Sequence, residues 1–298
     1  MLRQAPKYLI VTADDFGLHE SVNEAVEQAN RAQTLNAASL MVTAPATEDA
    51  IRRARILPNL RVGLHIVLAD GWSTLDAQLI PEIAAADGRM HSDMFRRGVR
   101  FFFKPAARRQ LEAEIRAQFA AFARTGLALD HVNVHKHFHV HPTILSILLK
   151  VGRDYGMPAI RVPDEPFWFA ARGAGILTGL TQALLSPWIA LMKHRLRRAQ
   201  VFHNDKIFGM AASGAINEAS LLAILARLPP GVSEIYLHPA TQSGSAIGAS
   251  MSRYRHAEEL EALSSPRVRA ALDAVALRGG YTEVLRAIGT RRAAPPSP

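Results

Sequence analysis

Short apolar runs alternate along this chain with longer stretches in which apolar residues recur every three or four positions. The short runs are rich in β-branched residues, which predicts buried strands. Six such runs are KYLIVTA, AASLMVTA, RVGLHIVL, LDHVNVH, AIRVP and SEIYLHP. The longer stretches predict amphipathic helices, and the clearest are SVNEAVEQANRA, PAARRQLEAEIRAQFAAFART and PTILSILLKVGRDYG.

This β/α alternation predicts an α/β fold built on a parallel sheet. For 298 residues with no Gly-rich dinucleotide fingerprint, a TIM-like (β/α) barrel is a more economical solution than a doubly wound open sheet. We expect one barrel domain over residues 1–288, with seven strands or incomplete closure. Residues 289–298 are rich in proline and small side chains, and we expect a disordered tail there.

Side chains suited to chemistry lie at the carboxyl ends of four predicted strands. Asp14 and Asp15 follow the first strand, His65 lies late in the third, His135 ends LDHVNVH, and His238 follows EIYL. Active sites of parallel α/β folds form where the strands end, so we expect these side chains to meet. Carboxylates and imidazoles could then form an O, N, N metal site with one carboxylate to spare, which indicates metal-assisted hydrolysis.

Each of these residues also has an ordinary structural interpretation. Two acids after a strand often cap a helix or form a turn, and a histidine in an apolar strand is often a hydrogen-bonded core residue. Agreement among four separate strand ends favours the functional interpretation.

The histidine-rich run that follows Asp130 changes character part-way along its length. Its apolar alternation is clean only to about His135, so His131 and Asn133 should point into the barrel below that residue. His137 and His139 then fall in a loop, either as ordinary polar residues or as contacts to a substrate or to the metal shell.

Composition and charge narrow the set of partners. The chain has no cysteine, so a metal site must use His, Asp or Glu. The net charge of +9 favours anionic partners, but the cations are dispersed and form no recognition motif, so we expect no nucleic-acid partner. The apolar run before Asp14 is too short for a signal peptide, which predicts a cytoplasmic location.

Four motifs occur together in a recognisable order. ADDFG, VGLHIVL, LDHVNVHKHFHVHP and EIYLHPA resemble the YdjC/ChbG family of carbohydrate deacetylases, and the resemblance extends from about Tyr8 to about Leu285. LNAASLMVTAPA, GVRFFFKPAARRQLEAEIRAQF and the histidine-rich run resemble in particular its hopanoid-biosynthesis-associated, HpnK-like branch.

The resemblance implies hydrolysis of an acetamide with one divalent metal ion. The ligands it implies are Asp15, His65 and His135. It also implies Asp14 as the general base and His238 as the general acid. This donor set favours Zn²⁺ and allows Mg²⁺. The family often has glycine after the HP of its last motif, whereas this chain has Ala240, which puts the role of His238 in question.

Arg161, His137 and His139 are the expected substrate-binding residues. Arg161 in AIRVPDEP resembles an arginine of relatives that could hold a sugar hydroxyl or order the acid pair. The alternative for Arg161 is a structural ion pair with Asp164 or Glu165.

Residues 167–200 form an apolar and basic insertion, FWFAARGAGILTGLTQALLSPWIALMKHRLRR up to Arg198. Arg172 and Pro187 argue against a transmembrane span, so we expect an interfacial helix or a helical hairpin. A second mixture of aromatic residues and cations, FRRGVRFFFKPAARR, begins at Phe95. Alternatively, both segments pack on the core or on another subunit of a homo-oligomer.

The insertion favours a lipid-borne substrate and peripheral contact with the inner face of the cytoplasmic membrane. With the branch-level resemblance, it implies deacetylation of an N-acetylglucosaminyl hopanoid to the glucosaminyl form. The alternative is deacetylation of soluble chito-oligosaccharides. A non-catalytic lipid-binding or nucleic-acid-binding protein is less favoured, because the acid and histidine set is intact.

Overall fold

A computed structural model of the chain describes residues 6–174, 176–244, 247–275 and 277–293. Parallel strands form its central sheet. They are β1 (Lys7–Phe16), β2 (Ala37–Leu40), β3 (Arg61–Ile66), β4 (Val132–Val134), β5 (Lys206–Phe208), β6 (Gly231–Leu237) and β7 (Leu277–Arg278). The spatial order is β4-β3-β2-β1-β6-β5, and β7 pairs with the start of β1.

This sheet curls into a half-barrel whose strand ladder does not close over the described ranges. Isolated parallel bridges continue the curl beyond β4, joining Val132 to Ile160 and Ala159 to Phe202. The parallel α/β fold is therefore confirmed, in an open form consistent with a TIM-like barrel. AIRVP, predicted as a strand, contributes only bridges, and β5 and β7 were not predicted.

Helices surround the sheet and connect its strands. They are α1 (Glu20–Arg31), α2 (Thr47–Arg55), α3 (Met94–Phe103), α4 (Pro105–Arg124), α5 (Pro142–Asp154), α6 (Phe167–Ala174), α7 (Ile176–Arg198), α8 (Glu218–Ala226), α9 (His256–Ser264), α10 (Pro266–Asp273) and α11 (Tyr281–Ala293). The three clearest amphipathic predictions correspond to α1, α4 and α5. Two of these begin at a proline, Pro105 and Pro142, as helices often do because the first turn needs no donor there.

The core lies between the sheet and the helices that cover it. β1 is buried along nine consecutive residues from Tyr8 to Phe16, as expected for a central parallel strand covered on both faces. Leu40 and Leu64 from neighbouring strands pack in the same cluster as Phe119 of α4 and Leu148 of α5. This packing fixes the strand ends relative to one another.

The predicted insertion folds as two consecutive helices, α6 and α7. Ile189, Met192 and Leu196 of α7 are buried, so the second half of this helix packs on the body of the protein. Across the described ranges, no helix combines the length and apolar character that a membrane span requires.

The chain end differs in part from its prediction. α11 continues to Ala293, so the tail expected from residue 289 begins inside a helix, and residues 294–298 lie outside the described ranges.

Gly63 in β3 provides space for a buried ring inside the barrel. A Cβ atom at this position would lie 2.5 Å from ring atoms of His131. Gly63→Ala should therefore lower the free energy of unfolding by about 1–3 kcal/mol, because the overpacked interior has to shift. Urea unfolding measures this change, with Gly289→Ala on an open face of α11 as the control. Equal stability of the two variants would contradict the prediction.

Candidate active site

The end of β1 brings two adjacent acids into one site. Successive strand residues normally point to opposite faces of a sheet. Here the β1–β2 register shifts between Ala13 and Phe16, and Asp15 adopts a left-handed conformation with φ 61°. Such a bulge re-aims a side chain, and aspartate tolerates this conformation better than most residues. Both carboxylates are buried at the carboxyl edge of the sheet.

Asp15, His65 and His135 converge from the ends of three strands. Asp15 Oδ1 lies 3.2 Å from His65 Nε2 and 3.2 Å from His135 Nδ1, and the two nitrogens are 3.2 Å apart. All three side chains are buried. For ligands about 2.0–2.1 Å from a tetrahedral ion, the expected separation is about 3.3 Å, so the trio matches the spacing of a metal site.

Hydrogen bonding sets the tautomer of His65. Asn133, opposite His65 in the β3–β4 register, donates through Nδ2 to Asp14 Oδ1 and Ser39 Oγ, each at 2.9 Å. Its Oδ1 must therefore accept the proton of His65 Nδ1, 2.7 Å away. That leaves His65 Nε2 without a proton and aimed at Asp15, as a metal ligand requires.

The trio fits a cation better than it fits internal hydrogen bonds. Both oxygens of Asp15 lack a hydrogen-bond partner among the described residues, although they are buried. Burial would raise the pKa of Asp15, but His135 and His65 hold it well below its ordinary value. Burial lowers the pKa of His65, and Asp15 and Asp14 reverse this to a net rise. The pocket is therefore anionic and attracts a positive ion.

Asp14 is held by a buried arginine. Arg161 donates to Asp14 Oδ2 at 2.5 Å and Oδ1 at 2.9 Å, and on its other edge to Glu234 at 2.7 and 2.9 Å. Burial would raise the pKa of Asp14, but Arg161 and then His65 hold it well below its ordinary value. Asp14 is consequently ionised at any physiological pH.

His238 occupies the position expected from sequence, at the end of β6. Burial lowers its pKa to about 4, so its ring is neutral at pH 7. His238 Nδ1 has no hydrogen-bond partner among the residues described. The backbone N–H of His238 donates to the Glu259 carboxyl group. Burial raises the pKa of Glu259 to about 8. Ala240 is fully buried, in a small cluster with Val22 and Met251.

The predicted substrate contacts divide into two groups. His137 lines the pocket, and its Nε2 lies 3.1 Å from the Tyr236 hydroxyl. Arg161 and His139 are both 0% exposed, and His139 Nε2 donates to the Arg161 carbonyl at 2.8 Å. These positions favour the second option foreseen for Arg161, ordering of the acid pair. Arg161 does not pair with Asp164 as the alternative had it. Asp164 pairs instead with Lys193 and Lys206, and Arg161 pairs with Asp14 and Glu234.

Two functional features were missed at the sequence level. Glu234 completes the Arg161 cluster, and Tyr236 places its ring 4.6 Å below the guanidinium. A signal was available for Glu234, since a charged residue inside the apolar run SEIYL needs a buried partner.

Two cavities that share lining residues adjoin His135 of the trio. The inner pocket of 190 Å³ is lined by Asp14, His65 and His238, and His135 forms part of its wall. A larger groove of 570 Å³ shares the lining residues His135 and Met251 with this pocket and extends to Trp72. The guanidinium of Arg89 lies 5.0 Å from the centroid of the Trp72 ring. Together the two cavities leave room for a ligand larger than the inner pocket alone would hold.

Residues 8–274 match the family described as YdjC-like protein. The chain belongs to this family. The motifs that carry Asp14, Asp15, His65, His135 and His238 all lie inside the matched range, so the YdjC-like domain includes the whole candidate site.

Similar proteins include two named carbohydrate deacetylases. The one from Geobacillus stearothermophilus is 28% identical over 262 residues, covering 88% of this chain and 91% of that protein. The one from Brevibacillus brevis is 39% identical, but the match covers 52% of this chain and only 59% of that protein. A solved structure from Enterococcus faecalis V583 has a TM-score of 0.72 at 23% sequence identity, and it is described as a candidate cellobiose-phosphate cleavage protein. The match covers 94% of this YdjC-like chain and 99% of that chain. The last similarity concerns the fold alone.

Asn133→Ala should weaken metal binding without removing a ligand. Loss of the Asn133 carbonyl frees His65 to place its proton on Nε2, and such supporting groups typically change metal affinity about 10- to 100-fold. Equilibrium dialysis with Zn²⁺ measures the affinity, and Asn59→Ala, far from the trio, is the control. Affinities equal to that of the control would contradict the inferred tautomer.

His139 should make stability fall in weak acid. Burial lowers its pKa to about 4, and its ordinary value is 6.5. The unfolded chain takes up this proton below pH 6.5 and the folded chain only near pH 4, so stability present above pH 6.5 is lost between these values. The loss should approach about 3 kcal/mol. His139→Gln, which keeps a donor for Arg161 and does not titrate, should show a flatter curve in urea unfolding. Parallel curves for the two proteins would contradict the assignment.

Proposed function

We propose that this protein is a metal-dependent carbohydrate N-deacetylase that acts on a lipid-borne N-acetylglucosamine. The observation that carries the metal-dependent reaction is the buried Asp15, His65 and His135 trio with an ionised acid, Asp14, beside it. Similarity to carbohydrate deacetylases over most of the chain supports deacetylation as the chemistry.

The donor set is complete for one divalent ion, with Zn²⁺ favoured and Mg²⁺ allowed. When bound, such an ion polarises the acetamide carbonyl and acidifies water. The residues around it divide the remaining work. Asp14, fixed by Arg161 and Asn133, accepts the proton of the attacking water. Its low pKa makes it a weak base, so the water must be strongly acidified for this transfer.

His238 is the proposed donor of a proton to the departing amine. Its ring lines the pocket with Asp14 and is neutral at pH 7, so it must first receive the proton that Asp14 takes from the attacking water, and it then passes this proton to the amine. Tyr236 lines the same pocket and contacts His137, which has an unpartnered Nδ1 within the described structure. His137 is therefore the best placed of the predicted residues to bind a sugar hydroxyl. Arg161 and His139 act from behind as positioning residues.

Two features support a lipid-borne substrate, and the branch-level sequence resemblance makes N-acetylglucosaminyl hopanoid, converted to the glucosaminyl form, the substrate that we propose. The outer groove mixes polar residues such as Asp87 with apolar ones such as Met41 and Met90, which suits a sugar with an apolar neighbour. The apolar and basic insertion forms α6 and α7 beside the site, where Trp188 donates to the Val140 carbonyl at 2.7 Å.

Soluble chito-oligosaccharides are the second candidate substrate class. Trp72 in the groove supports it, because an aromatic face can stack on a sugar ring. Arg89 covers the Trp72 ring and would have to move for stacking.

The test is mass-spectrometric detection of acetyl loss by the metal-replete protein. Substrates are an N-acetylglucosaminyl hopanoid and a chito-oligosaccharide, each offered to wild type, Asp14→Asn and Asp15→Asn. We expect loss of one acetyl group from the lipid. The rate should fall about 100- to 10,000-fold in Asp14→Asn, because the proton acceptor is lost.

Metal content separates the two acids. Asp14→Asn should retain the ion and Asp15→Asn should lose it, while Asp273→Asn on the exposed end of α10 should behave as wild type. Turnover of the soluble sugar alone would refute the lipid substrate and leave deacetylation intact. Turnover of neither substrate would refute the catalytic assignment and favour a lipid-binding or nucleic-acid-binding role.

A further inference from the structure

α3 exposes an aromatic stripe to solvent. Phe95, Val99, Phe102 and Phe103 follow helical spacing along one side, and Phe95 and Phe103 are 82% and 81% exposed. The opposite side of α3 packs inward through Phe101, which is buried. Large aromatic side chains are rarely left in water along a whole helix face unless that face meets a partner.

α7 exposes a second apolar surface. Leu184 is 82% exposed, and Leu185 and Leu191 are also exposed on the same helix. The helix remains attached to the protein through the neighbouring Trp188 and the buried Ile189. The exposed leucines therefore belong to a helix that is packed in a defined position against the rest of the protein.

Both helices contact one short segment, residues 138–141. The ring centroid of Phe101 in α3 lies 5.8 Å from that of Phe138, and the ring centroid of Phe102 lies 4.3 Å from that of His141. Trp188 of α7 hydrogen-bonds the carbonyl of Val140 in between. The two exposed apolar surfaces thus flank the turn that follows β4, at the end of the sheet where the metal trio lies.

Positive charge accompanies the aromatic stripe. Residues 93–109 contain six cations and one acid. Arg96, Arg108 and Arg109 are exposed, whereas Arg100 and Lys104 pair with Glu82. Aromatic side chains bordered by arginines match an anionic lipid surface, which offers apolar depth and negative headgroups together. A second copy of the chain would carry the same positive charge and be repelled.

The outer groove extends from the residues before α3 to the candidate metal site. His91 and Ser92, immediately before α3, line one part of the groove, and His135 of the metal trio lines another. A headgroup drawn from a membrane under α3 would enter the groove that His135 lines, and His135 also lines the inner pocket with His65.

We propose that the α3 stripe and the exposed leucines of α7 form a docking surface for an anionic bilayer, which places the groove mouth at the headgroup level. The proposal deepens the lipid-borne substrate proposed above and rests on it for its purpose. Binding to the bilayer itself requires no acetylated sugar.

The test is co-sedimentation of the full chain with vesicles of phosphatidylcholine, with and without phosphatidylglycerol. We expect binding to the anionic vesicles, weakened by added salt because exposed cations contribute. Phe95→Ser/Phe103→Ser should lower the affinity by at least about tenfold, since both rings are lost from the apolar contact. Ile56→Ser is the matched control, because Ile56 is a 61% exposed apolar residue just before β3, at the opposite end of the sheet.

Activity on two forms of substrate separates this proposal from the proposed function. Phe95→Ser/Phe103→Ser should lose turnover of a vesicle-borne acetylated glycolipid and keep turnover of the same glycolipid dispersed in detergent. Failure of wild type to bind anionic vesicles, or equal binding by the double variant, would overturn the docking surface whatever the activity. A dimer in light scattering that the double variant dissociates, without vesicle binding, would assign the stripe to self-association instead.

Discussion

The buried cluster of Arg161 with Asp14 and Glu234 is the interaction on which the rest of the structure depends. The segment that carries Arg161 pairs with its neighbours through isolated bridges and not through a continuous strand ladder. Its guanidinium crosses the barrel interior to Asp14 at the end of β1 and Glu234 of β6, and so ties these two adjacent central strands to the segment. Removing one of the three residues would leave a buried charge without a counter-charge. The resulting loss of folding stability is much larger than the net stability that the intact cluster contributes.

A polar chain extends this interior from the site to the far end of the barrel. Asn133 donates to Ser39, Ser39 contacts His131 at 3.0 Å, and His131 contacts Asp130 at 3.0 Å. Asp130 in turn accepts from the backbone at the start of α11. Each member has its partners, and a fully satisfied buried network is rigid. His65 of the candidate metal trio is thus oriented by a network that reaches well beyond the site.

Much of this site follows from the sequence because strand ends are readable and parallel strands end together. Asp15, His65 and His135 meet as that rule requires. The rule does not give the bulge that turns Asp15 beside Asp14, since φ at one residue depends on its pairing with β2. Nor does it give the role of Arg161, because the choice between Asp164 and Asp14 is made by tertiary packing. Short strands such as β5 carry too few residues to show a period.

The turn after β4 joins the site to the surface. It begins at His135 of the candidate metal trio, and Lys136 and His137 hold left-handed conformations with φ 57° and 54°. Such conformations are costly for residues with side chains and persist only where the surroundings fix them. Here the surroundings include the Lys136 pair with Asp70 on one side and the aromatic contacts of α3 on the other. The turn that begins at His135 therefore packs directly, through Phe138, against the helix that exposes the aromatic stripe. Because its surroundings already fix this turn, the proposed docking of a membrane at the stripe requires no large movement of His135.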